Sequence, residues 1–176
     1  AITCWIGALA LIGTPFLSGF YSKDVIIEAV HASERFGAHY AYWCVMAGVF
    51  VTALYTFRMV FMTFHGKPRF DTSPAHGHGQ GHGHDDHGHH GGVPHESPWV
   101  VTAPLVVLAI FSVVIGGLTI ASLLFGSGFQ EAIFVLGAND GVAKVGEEFH
   151  GAVAFALHGW AHPPFWLALG GVLAAW

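Results

Sequence analysis

The chain has 176 residues, 53% hydrophobic and 10% charged, with mean hydropathy +0.56 and formal net charge −5. Soluble domains carry about 25% charged residues, so this composition excludes an ordinary soluble globule, and the sequence offers no basic patch for nucleic acid. The expected fold class is an all-α membrane protein: a polytopic transmembrane helix bundle with one discontinuous helix, a fragment of a larger bundle.

Residues 2–12 are an apolar run that enters the stretch Gly13-Thr14-Pro15-Phe16-Leu17-Ser18-Gly19-Phe20-Tyr21-Ser22-Lys23-Asp24, with Glu28 a little further on. Gly13 suits the end of one half-helix. Thr14-Pro15 reads as the start of the next, with threonine capping and proline in the first turn. A break of this kind leaves backbone groups unpaired, which hydrocarbon tolerates only beside protein or a water-filled cavity. Transporters place ion sites there. Lys23 is the candidate functional residue: a lysine at mid-membrane costs about 2.5–3.5 kcal/mol, and lysine changes protonation state readily when desolvated. On a helix Asp24 is turned about 100° and Glu28 about 140° from Lys23, so a close charged partner for Lys23 is expected elsewhere. The alternative reading ends the helix near Tyr21 and makes Ser22-Lys23-Asp24 a wet loop capping a short surface helix.

A short turn over residues 31–39 precedes a second span over 40–64. Tyr40, Tyr42 and Trp43 suit an interfacial aromatic belt at its start, and Arg58 near its end is read as snorkelling to the interface. The first unit is thus residues 1–66. Residues 67–97 form a His/Gly-rich segment with nothing to build a core, expected to be disordered. Its His76, His78, His82, His84, His87, His89 and His90 are metal-binding in type, yet their alternation with glycine fixes no geometry. No metal site is assigned.

Residues 98–125 read as a third span. Pro104 argues for a start near Thr102; a start at Pro98 would put a kink at Pro104. Residues 126–162 read as a loop with one interfacial amphipathic helix, capped by Asp140, whose apolar positions are Val142, Val145, Phe149, Val153, Ala156 and Trp160. Glu147, Glu148 and His150 read as a wet polar face rather than a metal site, and His158 and His162 as interface residues rather than ligands. Residues 163–176 begin a fourth span. Cys4 and Cys44 are read as buried thiols, with no spacing that suggests a disulfide or an Fe–S site. The chain lacks an initial Met and both ends fall inside apolar runs, so it is expected to be part of a longer protein. Lys67 and Arg69 after the second span place the His-rich loop in the cytoplasm by the positive-inside rule.

Residues 15–24, Pro-Phe-Leu-Ser-Gly-Phe-Tyr-Ser-Lys-Asp, resemble the broken helix of the antiporter-like subunit L family of bacterial respiratory complex I, the NADH-quinone oxidoreductase. Thr52-Ala53-Leu54-Tyr55-Thr56-Phe57-Arg58-Met59 and Phe64-His65-Gly66 resemble the next helix of that family, in the same order and spacing. The likeness is to the C-terminal part of the subunit and lies within the first 66 residues. It implies a proton-translocating membrane subunit of an enzyme, with Lys23 as a proton relay and other membrane subunits of complex I as partners in the lipid bilayer. It also implies the inner (plasma) membrane of a bacterium as its location. No cofactor is expected in this chain; NADH, flavin, Fe–S clusters and quinone are expected in partner subunits. Multi-subunit sodium/proton antiporter subunits share the motif, so an antiporter subunit is one alternative. A divalent-metal transporter using the His-rich loop is another, and a passive anchor that tolerates replacement of Lys23 is a third.

Overall fold

The computed structural model describes residues 1–66, 97–126, 135, 140–147 and 149–176. They form seven α-helices and no strand: α1 (Ile2–Ile12), α2 (Ser18–His31), α3 (Ala38–Phe64), α4 (Trp99–Thr119), α5 (Gly141–Glu147), α6 (Ala152–Gly159) and α7 (Pro163–Ala175). A π-helical turn, Ile120–Leu124, prolongs α4. Two continuous stretches, Ala38–Phe64 and Trp99–Leu124, are long and apolar enough to cross a membrane. Residues 67–96, among them the seven histidines between 76 and 90 and the segment expected to be disordered, and Glu148 lie outside the described residues.

At about 1.5 Å per residue, α1 and α2 are roughly 16 and 21 Å long, each too short for a hydrocarbon core of about 30 Å. Together they run antiparallel to α3. Trp5 of α1 packs edge-on against Phe57, Phe61 and His65 at one end, and the His31 ring of α2 lies tilted against Tyr42 at the other. In α3 the buried positions Met46, Val49, Ala53, Phe57 and Val60 recur every three or four residues. That spacing presents one apolar stripe, which meets Ala8, Ile12, Ile27 and Ala168 in the main core.

α7 lies against α3 and runs parallel to it. Gly171 sits on the backbone of Phe50, where an added Cβ would stand 2.6 Å from the Phe50 carbonyl oxygen and 2.8 Å from the Ala53 Cβ. Further along, Trp176 packs edge-on against Phe61. A second core joins Phe20, Tyr21 and Val25 of α2 to Ile120, Val145 and Ala156. Of α4's 21 residues only Ala109 is buried, and an apolar face runs along its exterior.

Three expectations change in detail. α4 begins at Trp99, capped by Pro98, so Pro104 lies inside the helix rather than in its first turn. The amphipathic segment after residue 140 is two helices, not one. Asp140 does cap the first, its Oδ1 accepting from the Ala143 N–H at 2.9 Å, but Gly151 at φ +109° interrupts the period. Beyond that interruption Phe155 and Ala156 turn inward, while Val153 and Trp160 are exposed. Cys44 is exposed and Cys4 half-buried, so neither is a fully buried thiol; Cys44 falls off the core-facing stripe of α3.

Candidate functional site

The site begins at the break. α1 ends with Gly13 at φ +84°, its N–H donating to the Ala10 carbonyl at 3.2 Å while the Thr14 N–H reaches Leu9 O at 3.1 Å. This paired arrangement satisfies two of the carbonyls that a helix end leaves free. Thr14-Pro15 does not start the next helix. The Leu17 N–H returns to Thr14 O at 3.1 Å, closing a turn with Pro15 second and Phe16 third. Phe16 has φ +73°, the positive value a type II turn demands at that position. α2 then starts at Ser18, with Leu17 as the extended residue before it. Gly19 lies against the Ala10 carbonyl, an approach no larger residue could make.

Lys23, one turn into α2, is half-buried, and its stem lies over Gly13. It makes no hydrogen bond or ion pair among the described residues. With Asp24, Gly13 and Val49 it lines a cavity of about 10 Å³, close to the least space that admits one water molecule. Val49 lies near the middle of the 27-residue α3, so the cavity sits at mid-span.

Asp24 is 5% exposed. Glu28 follows one helical turn later on the same face. His162, the residue before α7, comes to both: its Nδ1 lies 3.3 Å from Glu28 Oε1, and one donor atom from each of Asp24, Glu28 and His162 falls within 4.8 Å of the others. The His162 Nε2 is in turn 2.9 Å from Nδ1 of the exposed His158. Gly159 makes this convergence possible, because it is packed against the Phe20 ring where any side chain would collide. On the outer side, Glu28, His31, Tyr42, Lys144 and His162 line an open cleft of about 460 Å³. The ordered groups therefore run from Lys23 at mid-span, through Asp24, to Glu28 and His162 at the cleft.

The same end is tied by α5. Lys144 Nζ donates to Glu34 Oε1 at 2.9 Å and to the Ala32 carbonyl at 3.4 Å. That hydrogen bond and then the lysine charge hold the Glu34 carboxyl below its ordinary value.

No family model matches the chain. Relatives do. NADH-quinone oxidoreductase subunit L of Neisseria meningitidis serogroup B is 50% identical over 99% of this chain. The chain belongs to the subunit L family of NADH-quinone oxidoreductases. Chain 5 proteins are similar at greater distance: the NAD(P)H-quinone oxidoreductase chain 5 of Picosynechococcus is 38% identical over 76% of the chain, and the NADH-ubiquinone oxidoreductase chain 5 of Rhizopus stolonifer 35% over 74%. The chain spans about a quarter of the length of its subunit L relatives, 26% for the Neisseria protein, and 18–19% of these chain 5 proteins.

Within this subunit L segment, Lys23 stands at the break, while Arg58 is exposed on α3 away from the acidic pair. Sequence reasoning missed His162, read as an interface residue. The spacing of four in Asp24–Glu28 was the available signal, since that pair shares a helical face; that His162, in the turn between α6 and α7, meets this face is a tertiary fact.

Proposed function

We propose that this segment belongs to the proton-translocating membrane subunit of a respiratory NADH-quinone oxidoreductase, with Lys23 as the group that takes up and releases the proton. The observation that carries the reading is the place of Lys23: half-buried at a helix break, free of ion pairs among the described residues, and sharing a one-water cavity with Asp24. Proton transfer needs groups within hydrogen-bond reach or separated by one water. The Lys23 ammonium gives its proton to a water in the cavity, that water protonates the Asp24 carboxylate, and Glu28 and His162 carry the proton to the cleft. The resulting Lys23 amine is reloaded from the remainder of the longer subunit. Redox chemistry with NADH, flavin, Fe–S clusters and quinone belongs to partner subunits, so the segment is part of an enzyme without holding its redox site.

In this reading the segment lies in the inner membrane of a bacterium among other membrane subunits, and residues 163–176 begin a further span. Lys67 and Arg69 put the His-rich loop on the cytoplasmic side, so the cleft opens on the opposite side.

The test compares Lys23→Ala and Lys23→Arg in the assembled enzyme, reconstituted in sealed vesicles. Alanine removes the titrating group. Arginine keeps the charge but does not release its proton. Both are expected to impair translocation; normal pumping by Lys23→Arg would make Lys23 a fixed charge and end the relay reading.

A further inference from the structure

We propose that Asp24, Glu28 and His162 form a binding site for a divalent transition-metal cation of the Zn²⁺ type, with His158 fixing the imidazole. The donor set is two carboxylate oxygens and one ring nitrogen, all within 4.8 Å of one another. Open zinc sites use three protein ligands of these kinds plus a water, at bonds of about 2.0–2.2 Å. Such bonds hold ligand atoms about 3.3 Å apart in a tetrahedron. Glu28 Oε1 and His162 Nδ1 already stand at 3.3 Å, and the Asp24 donor lies within 4.8 Å of both.

The orientation of His162 is the second strand of the argument. A metal-ligating histidine donates its other ring N–H to a nearby acceptor, which fixes the tautomer. His158 Nδ1 stands 2.9 Å from His162 Nε2 and serves as that acceptor. His162 Nδ1 then turns a lone pair toward Glu28. In that tautomer the two carboxylates and the imidazole lone pair converge, an arrangement a cation completes.

Asp24 points the same way independently. It is 5% exposed and makes no hydrogen bond or ion pair among the described residues. A buried carboxylate in that condition is costly, and the adjacent Lys23 forms no ion pair with it. The site also has an entry path, because Glu28 and His162 line the open cleft. Imidazole in the set selects Zn²⁺ and its neighbours over Mg²⁺ or Ca²⁺, which take oxygen ligands.

The inference rests on the side-chain geometry and not on the relay reading, and metal content is measured without turnover. The seven histidines between residues 76 and 90 would bind Zn²⁺ themselves, so the parent for the test is the assembled enzyme with those seven replaced by asparagine. ZnCl₂ is titrated against a chelating indicator, and bound zinc is counted after equilibrium dialysis. The parent is expected to hold one Zn²⁺ per complex more than His162→Ala. Glu28→Gln, nearly the same shape, should weaken that binding at least tenfold. His158→Ala should weaken it about tenfold, as loss of an orienting partner does. Equal zinc content and affinity in the parent and in Glu28→Gln would overturn the site, whether or not His162→Ala assembles. Loss of zinc with intact pumping in the variants would retain the site and remove Glu28 and His162 from the proton route.

Discussion

The Lys23 stem rests on Gly13: a methyl group built there would stand 3.3 Å from the lysine Cδ. Gly13 also holds φ +84°. Gly13→Ala is therefore expected to lower stability by about 1–2 kcal/mol, the cost of a left-handed conformation for an L-residue, and to displace Lys23. Gly13→Asn separates the two effects, because asparagine tolerates that conformation yet still carries the intruding Cβ. Thermal unfolding in detergent should rank glycine above asparagine above alanine, while proton translocation in vesicles falls in both variants.

The α3–α7 contact admits no side chain at Gly171. Gly171→Val puts a branched group onto the Phe50 carbonyl and the Ala53 Cβ, and is expected to destabilise by about 1–3 kcal/mol through overpacking. A melting curve of the purified protein checks this. Gly7, which has open space around its Cβ position, is the control: Gly7→Ala should unfold no earlier than the parent.

Acid should loosen the tie between Glu34 and Lys144. The Glu34 carboxyl is held below its ordinary value by the hydrogen bond from Lys144 and by the lysine charge. A carboxyl depressed in the folded state contributes stability above its unfolded pKa, about 4.3, and that contribution is lost as pH falls through the folded value. Both side chains are solvent-facing, so the effect is small and sensitive to salt. Melting temperatures of the parent and Glu34→Gln, taken from pH 7 down to pH 3, should differ at neutral pH and converge in acid.

Residues 76–90 contain no apolar side chain apart from glycine and so supply nothing to offset the entropy of ordering. Their deletion is expected to leave assembly and proton translocation at parental levels. Quantifying the assembled complex, followed by vesicle pumping, checks this; a large drop in either would make the tract a working element.

The helices and the break were legible because composition and punctuation act locally: Gly13 stops α1, and the period of three and four in α3 declares its buried face. The inside of the break was not. Thr14-Pro15 has the chemistry of a helix start, yet Phe16 takes the positive φ normally left to glycine, and that choice moves the start of α2 to Ser18. In the same way Gly151 resets the phase of the amphipathic segment, which a single periodic pattern does not reveal. Lys23 could be singled out from its surroundings in sequence. His162 could not be, since its meaning depends on Gly159 letting the chain approach Phe20 and bring it to Asp24 and Glu28.

The sparse burial of α4 has a practical consequence. In water, α4 leaves Leu105, Leu108, Ile110 and Phe111 exposed, and a bare apolar surface of that extent promotes self-association. Preparations of this segment should therefore be most sensitive to detergent exchange along α4: a micelle that covers this helix keeps the chain dispersed, and one that strips it drives aggregation before the interior cores are disturbed.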